Sequence, residues 1–165
     1  MKVARQFRKS NFPPRSTHIA GRLALLALLC VLVPSKALTE ERFWVDNSTG
    51  LALGGFDPVS YFTHVMPRYG SEEYEYVWKS VTWRFENKGN RAAFKRDPEI
   101  YAPQFGGHGA VAIGKGHQTP GNPRIFLVSQ GKLYLFYSDL NKVAWQGMAE
   151  AQRAVAETVW EQMIR

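Results

Sequence analysis

The chain has 165 residues, of which 45% are hydrophobic and 13% aromatic, and this composition suits one domain with a substantial hydrophobic core. Its formal net charge is +7, but residues 1–37 hold seven of the 21 basic residues and none of the 14 acidic ones. The other 128 residues therefore carry 14 charges of each sign. The net positive charge therefore comes from the N-terminal segment. Because the rest of the chain is neutral, no nucleic-acid partner is predicted.

Residues 1–37 are predicted to be a cleavable export signal. Basic residues in 1–22 precede the apolar run LALLALLCVLV at 23–33, which is short compared with the roughly 20 residues of a membrane-spanning helix. Ser35 and Ala37 fit the −3 and −1 positions of a signal-peptidase site. We expect cleavage after Ala37, a periplasmic or secreted product, and no stable membrane span after cleavage. Retention as a membrane anchor is the alternative.

The only cysteine, Cys30, lies inside this signal. The exported chain would hold neither a disulfide nor a thiolate, so its stability must come from its core. Residues 38–50 are predicted to be a short lead-in that ends in the turn-forming cluster DNSTG.

Alternating aromatic residues in EYEYVWKSVTWRFEN predict a β-hairpin that turns at Lys79-Ser80, with an aromatic inner face. Asn87 is predicted to cap a short helix that ends at Asp97-Pro98 and buries Phe94. The segments RIFLVSQ and KLYLFYS predict a second hairpin that turns at Gln130-Gly131.

From Asp139 onward the sequence predicts a long C-terminal helix over 139–165, with Ser138 as its cap. Met148, Val155, Val159 and Met163 fall on one face of this predicted helix, with Trp145 and Trp160 nearby. No internal repeat is apparent. The predicted fold is α+β, with two antiparallel hairpins packed with a short middle helix and a long C-terminal helix.

Residues 106–118 read GGHGAVAIGKGHQ and contain G-x-x-x-x-G-K-G, one residue short of a phosphate-binding loop. A working loop needs Ser or Thr after the lysine and a helix beyond it. Gly116 stands in place of the hydroxyl, and Pro120 follows soon after. The sequence therefore excludes a nucleotide site here.

His108 and His117 bracket the same run, and imidazole suits copper or zinc. A firm site needs three or four ligands, so a carboxylate such as Asp57 or Glu86 would have to join them. The ordinary alternative is a pair of solvent-facing loop histidines.

Catalytic patterns are lacking in the sequence. No serine stands in a G-x-S-x-G context, and no pair of carboxylates forms a recognisable catalytic arrangement. A set of aromatic side chains is predicted to belong to the core, with a ligand groove as the alternative: Tyr74, Trp78, Trp83 and Tyr134. The chain is not expected to be an enzyme.

Four segments together resemble the YHS domain, and more closely the small exported YHS-domain proteins of bacteria: ALGGFDPVSYF, VTWRFEN, NRAAFKRDPEIYAPQFGGHGA and GKLYLFYS. The resemblance spans about residues 51–138. Its most specific element is F-x-x-D-P-x-x-Y at Phe94, Asp97, Pro98 and Tyr101. It implies a small aromatic core that consists of Phe56, Tyr61, Trp83, Phe85, Phe94 and Tyr101.

YHS domains attached to copper ATPases are thought to bind metal through cysteines, and the resemblance places Ser60, Glu86 and Asn90 at those positions. None of these is a thiolate. The exported subgroup often has G-G-Y-C-A, where this chain has His108 and Gly109 in place of the tyrosine and the cysteine. The leading hypothesis is an exported, non-enzymatic binding or accessory module with no cofactor. The alternative is a copper- or zinc-handling protein that uses His108 and His117.

Overall fold

The computed structural model describes residues 43–165; the predicted signal, its cleavage site and residues 38–42 of the lead-in lie outside the described residues. No helix within 43–165 is long and apolar enough to cross a membrane. Two separate antiparallel hairpins alternate with six α-helices: α1 (Ser60–Thr63), β1 (Ser71–Trp78), β2 (Val81–Phe85), α2 (Lys88–Arg96), α3 (Pro98–Tyr101), α4 (Ala110–Gly114), β3 (Asn122–Ser129), β4 (Lys132–Phe136), α5 (Asp139–Gly147) and α6 (Glu150–Met163).

Both predicted hairpins are confirmed, and the fold is α+β. β1 pairs with β2 through a two-residue turn at Lys79-Ser80, where both residues have positive φ, 48° and 64°. β3 pairs with β4 through Gln130-Gly131, with φ of 52° and 72°. Two consecutive positive φ values match the right-handed twist of the flanking strands.

The predicted caps are also confirmed. The Asn87 side chain accepts the Asn90 N–H at 2.9 Å and starts α2, whose Phe94 is fully buried. The Ser138 hydroxyl oxygen accepts the Asn141 N–H at 3.3 Å and starts α5. Each cap satisfies one of the N–H groups that a helix start leaves without an intrahelical partner.

The C-terminal segment differs from the single helix predicted over 139–165. Met148 and Ala149 are extended, with ψ of 141° and 152°, and they separate α5 from the 14-residue α6. The buried residues of α6 are Ala156 and Trp160, whereas Val155 is 52% exposed. Met148 and Met163 of the predicted face are partly buried and pack against the cluster around Trp145 and Trp160. Val155 differs from the prediction because its spacing from Met148 was counted through the break, where the helical phase is lost.

The structure contains an internal repeat, contrary to the sequence prediction. Residues 53–96 and 105–147 each form a Gly-Gly turn, a short helix, a hairpin and a helix with a side-chain cap. The turns match in conformation: φ is 59° and 86° at Gly54-Gly55, and 59° and 85° at Gly106-Gly107. Both hairpins also show a register irregularity in the first half of their first strand. We call these segments the first and second repeats.

Matching hydrogen bonds fix the equivalence between the repeats. The Asp57 N–H donates to Arg68 O at 2.8 Å, and the Gly109 N–H donates to Thr119 O at 2.8 Å. The Gly70 N–H donates to Gly55 O at 2.9 Å, and the corresponding Gly121–Gly107 distance is 3.0 Å. The repeats also share a few residues at equivalent positions, such as Val59 with Val111 and Asn90 with Asn141, but these identities are scattered and the sequence analysis did not detect them.

The repeats pack on one another. Leu133 and Leu135 of the second repeat are fully buried in the core cluster formed mainly by the first. The Tyr61 hydroxyl donates to Pro123 O at 2.8 Å, and burial raises the pKa of Tyr61 well above the ordinary value of a phenol. Tyr61 therefore stays protonated and keeps its donor role. A second core cluster joins α4, α5 and α6 around Trp145 and Trp160.

Gly70 is expected to tolerate no side chain. A Cβ at this position would lie 2.5 Å from the backbone nitrogen of Phe85 and closer still to the carbonyl carbon of Arg84. Gly70→Ala should lower the free energy of unfolding by about 1–3 kcal/mol, because backbone must move to make room. Gly147→Ala is the control, since nothing lies within 4 Å of its Cβ. Urea denaturation that shows equal stability for both variants would contradict this close approach.

Candidate functional site

A buried carboxylate organises the first repeat. Asp57 is 0% exposed, and its Oδ1 accepts the Val59 N–H at 2.8 Å. Its Oδ2 accepts the Glu86 N–H at 2.9 Å and the Asn90 side-chain amide at 2.6 Å. The carboxylate thus joins the start of α1 to the end of β2 and to α2.

Ser60 lies beside this carboxylate and is also fully buried. Its hydroxyl donates to Asp57 O at 2.6 Å and accepts the Arg68 N–H at 2.9 Å. Both hydrogen-bonding roles of the hydroxyl are engaged with backbone, which is the arrangement of a structural serine. The fold therefore gathers Ser60, Glu86 and Asn90 around Asp57.

His64 approaches this cluster from its exposed side. Its Nε2 lies 3.9 Å from Glu86 Oε2, and the two side chains are 36% and 37% exposed. An ion pair this long and this exposed contributes little to stability. Within residues 43–165, no three or more histidine, cysteine or acidic side chains lie close enough to hold a metal ion.

The second repeat has a cleft where the first has its carboxylate. Gly109 is the equivalent of Asp57, and it contributes no side chain. A cleft of about 240 Å³ opens there. Seven further residues line it with Gly109: Val111, Ala112, Lys115, His117, Thr119, Tyr137 and Asn141.

His117 lies on the wall of this cleft and is exposed, as predicted. His108 is only 7% exposed, so the expectation of a solvent-facing histidine was wrong for it. Its ring centroid lies 5.8 Å from that of Trp160, and its backbone N–H donates to Phe105 O at 3.0 Å. His108 is buried because the repeat places it where the first repeat has Phe56, a core residue that is also 7% exposed.

The run GGHGAVAIGKGHQ has none of the geometry of a phosphate-binding loop. Its glycines flank the short helix α4, and the chain continues past Lys115 into β3 without a further helix. The four aromatic residues predicted to belong to the core do so: Trp83 is 1% exposed, and Tyr74, Trp78 and Tyr134 pack against the two clusters.

No protein-family model, curated protein or solved structure matches the chain. Its function must therefore be argued from the site itself.

Five of the eight lining residues lie in the run GGHGAVAIGKGHQ that the sequence analysis singled out. Sequence reasoning missed Tyr137 and Asn141, because they follow the second hairpin and only the fold brings them to this run. One signal was present. Asn141 follows the cap Ser138 by three residues, as Asn90 follows the cap Asn87. That spacing marks the same place at the end of each hairpin.

Proposed function

We propose that the chain is an exported, non-enzymatic binding or accessory module that resembles the YHS domain. One observation carries this proposal. The positions that the resemblance equates with metal-binding cysteines are Ser60, Glu86 and Asn90, and they come from two segments of the chain that meet at Asp57. Convergence of these positions is what a shared fold requires.

The chemistry at this meeting point supports a structural role. Ser60 and Asp57 form their hydrogen bonds with neighbouring backbone groups and with the Asn90 side chain. A nucleophile or general base needs its reactive atom directed at a substrate, and here those atoms face the protein. The second repeat keeps the same geometry but opens a cleft, which makes it the natural place for a ligand.

Metal handling through His108 and His117 is the alternative function, and one observation favours it. The Gly109–Thr119 hydrogen bond holds the two histidine segments side by side. Against it stand the burial of His108 and the lack, within 43–165, of a group of three candidate ligands.

Calorimetric titration with copper and zinc separates the two functions. We expect no micromolar binding of either metal to the chain, because two imidazoles alone make a weak site. The His117→Ala variant tests the alternative on an exposed residue that the fold does not need, and His64→Ala is its matched control. Micromolar binding that is lost in His117→Ala and kept in His64→Ala would establish metal handling.

Cell fractionation tests the export proposal, which a cytoplasmic chain of full length would contradict.

A further inference from the structure

The two repeats differ at Asp57 of the first repeat, whose equivalent in the second repeat is Gly109. In the first repeat, three donors converge on the carboxylate of Asp57: the Val59 N–H, the Glu86 N–H and the Asn90 amide. Their equivalents in the second repeat are the Val111 N–H, the Tyr137 N–H and the Asn141 amide. Gly109 gives these donors no carboxylate.

The side-chain position left vacant at Gly109 lies beside one of these donors. A Cβ built there would lie 3.4 Å from the Tyr137 nitrogen and 3.7 Å from the Thr119 carbonyl oxygen, both in ordinary contact. The Asn141 Oδ1 accepts the Ser138 hydroxyl at 2.7 Å, which leaves its amide NH₂ as the donor that faces outward. Within residues 43–165, none of the three donors has an acceptor.

The charge around the cleft favours an anion. Lys115 and His117 line it, together with the hydroxyl-bearing Thr119 and Tyr137, and none of its lining residues is acidic. Lys115 has no ion-pair partner within the described chain. The sequence has no Asp or Glu between Glu99 and Asp139.

We propose that this cleft binds the carboxylate of a small organic acid, in the place that the Asp57 carboxylate takes in the first repeat. The carboxylate accepts from the Tyr137 N–H, the Val111 N–H and the Asn141 amide, with Lys115 as the nearby cation. Charge-assisted hydrogen bonds of this kind are about twice as strong as neutral ones. The side chains of Val111 and Ala112 give the cleft an apolar wall against which the rest of the acid packs. The inference rests on the proposed binding function and names its ligand class.

The size of the cleft limits the ligand. Its volume is about 240 Å³ and its mouth is open to solvent, which suits a small ligand. A monocarboxylate with one ring or a short chain fits this space. Benzoate is therefore the probe, and benzamide is its neutral isostere.

An NMR titration of the ¹⁵N-labelled full chain tests the proposal. Benzoate should give saturable shifts of the Val111 and Tyr137 amides and of the Asn141 side chain. Benzamide should bind about tenfold more weakly, because it brings no charge to the donors. Equal affinity for both compounds at the cleft would overturn the carboxylate assignment and leave the binding function standing. If neither compound gives saturable shifts of cleft residues, the carboxylate assignment fails and the cleft loses its place in the binding proposal.

Two variants sharpen the test. Gly109→Asp supplies a carboxylate from the chain itself and should abolish benzoate binding, whereas Gly147→Asp adds the same charge elsewhere and should leave it unchanged. Gly109 has φ of −64°, a value that any residue adopts. Lys115→Ala should weaken benzoate binding by about threefold, since Lys115 is exposed and screened, and Lys88→Ala is its control. Full benzoate affinity in Gly109→Asp would contradict the proposed site.

Discussion

Phe94→Ala is expected to lower the free energy of unfolding by about 3–5 kcal/mol, the usual cost of truncating a fully buried phenylalanine. Phe94 is 0% exposed and lies at the centre of the aromatic core. Its ring centroid is 5.0 Å from that of Trp83, 5.2 Å from Phe85 and 5.6 Å from Trp78. Truncation would open a cavity among rings that are fixed on both strands of the first hairpin, and such rings cannot collapse easily into it.

Leu140→Ala is the control for this prediction. Leu140 is also an apolar residue on a helix, but it is 78% exposed, so its truncation should change stability by no more than about 0.5 kcal/mol. Urea denaturation followed by tryptophan fluorescence gives both values, with the slope of the transition checked for each variant. A Phe94→Ala cost below about 1 kcal/mol, typical of a surface change, would contradict the packing of α2 on the hairpin.

Local features of the fold could be predicted from the sequence because their signals are local. Strand alternation on both sides of Lys79-Ser80 and Gln130-Gly131 was enough to place the two hairpins. Asn87 and Ser138 predicted where two helices start, because their side chains are of the type that caps a helix N-terminus. Each of these predictions needed only a window of about ten residues, and none depended on how distant segments meet.

The remaining features depend on long-range contacts. His108 is buried because it is the equivalent of Phe56, and the sequence analysis did not detect that equivalence. The break at Met148 is an exception, because it directly follows Gly147, a residue type that commonly ends helices, and the sequence prediction continued the helix through it. The internal repeat shares a few scattered residues, such as its paired glycines and Asn90 with Asn141, but most of its side chains differ, and matching backbone hydrogen bonds make it evident. Asp57 and Gly109 occupy equivalent backbone positions, but Asp57 carries a carboxylate and Gly109 has no side chain.

Asp57→Ala is the second change with a large expected effect. It removes both acceptor oxygens and leaves three buried or partly buried donors without a partner: the Val59 N–H, the Glu86 N–H and the Asn90 amide. A donor left without a partner costs about 1–3 kcal/mol when it is buried, and water reaches some of these groups. We therefore expect the free energy of unfolding to fall by about 3–5 kcal/mol, as for the loss of one partner in other buried charged networks.

Gly109→Ala is the matched control, because it places the same methyl group at the equivalent position of the second repeat. Its Cβ would meet only ordinary contacts, the nearest at 3.4 Å, and it removes no acceptor, so stability should change by less than about 1 kcal/mol. The difference between the two variants isolates the contribution of the carboxylate from that of the backbone. A small cost for Asp57→Ala would mean that water satisfies the three donors as well as the carboxylate does. The donors of the second repeat would then have no need of a ligand carboxylate, and the comparison between the repeats would no longer support the cleft as a carboxylate site.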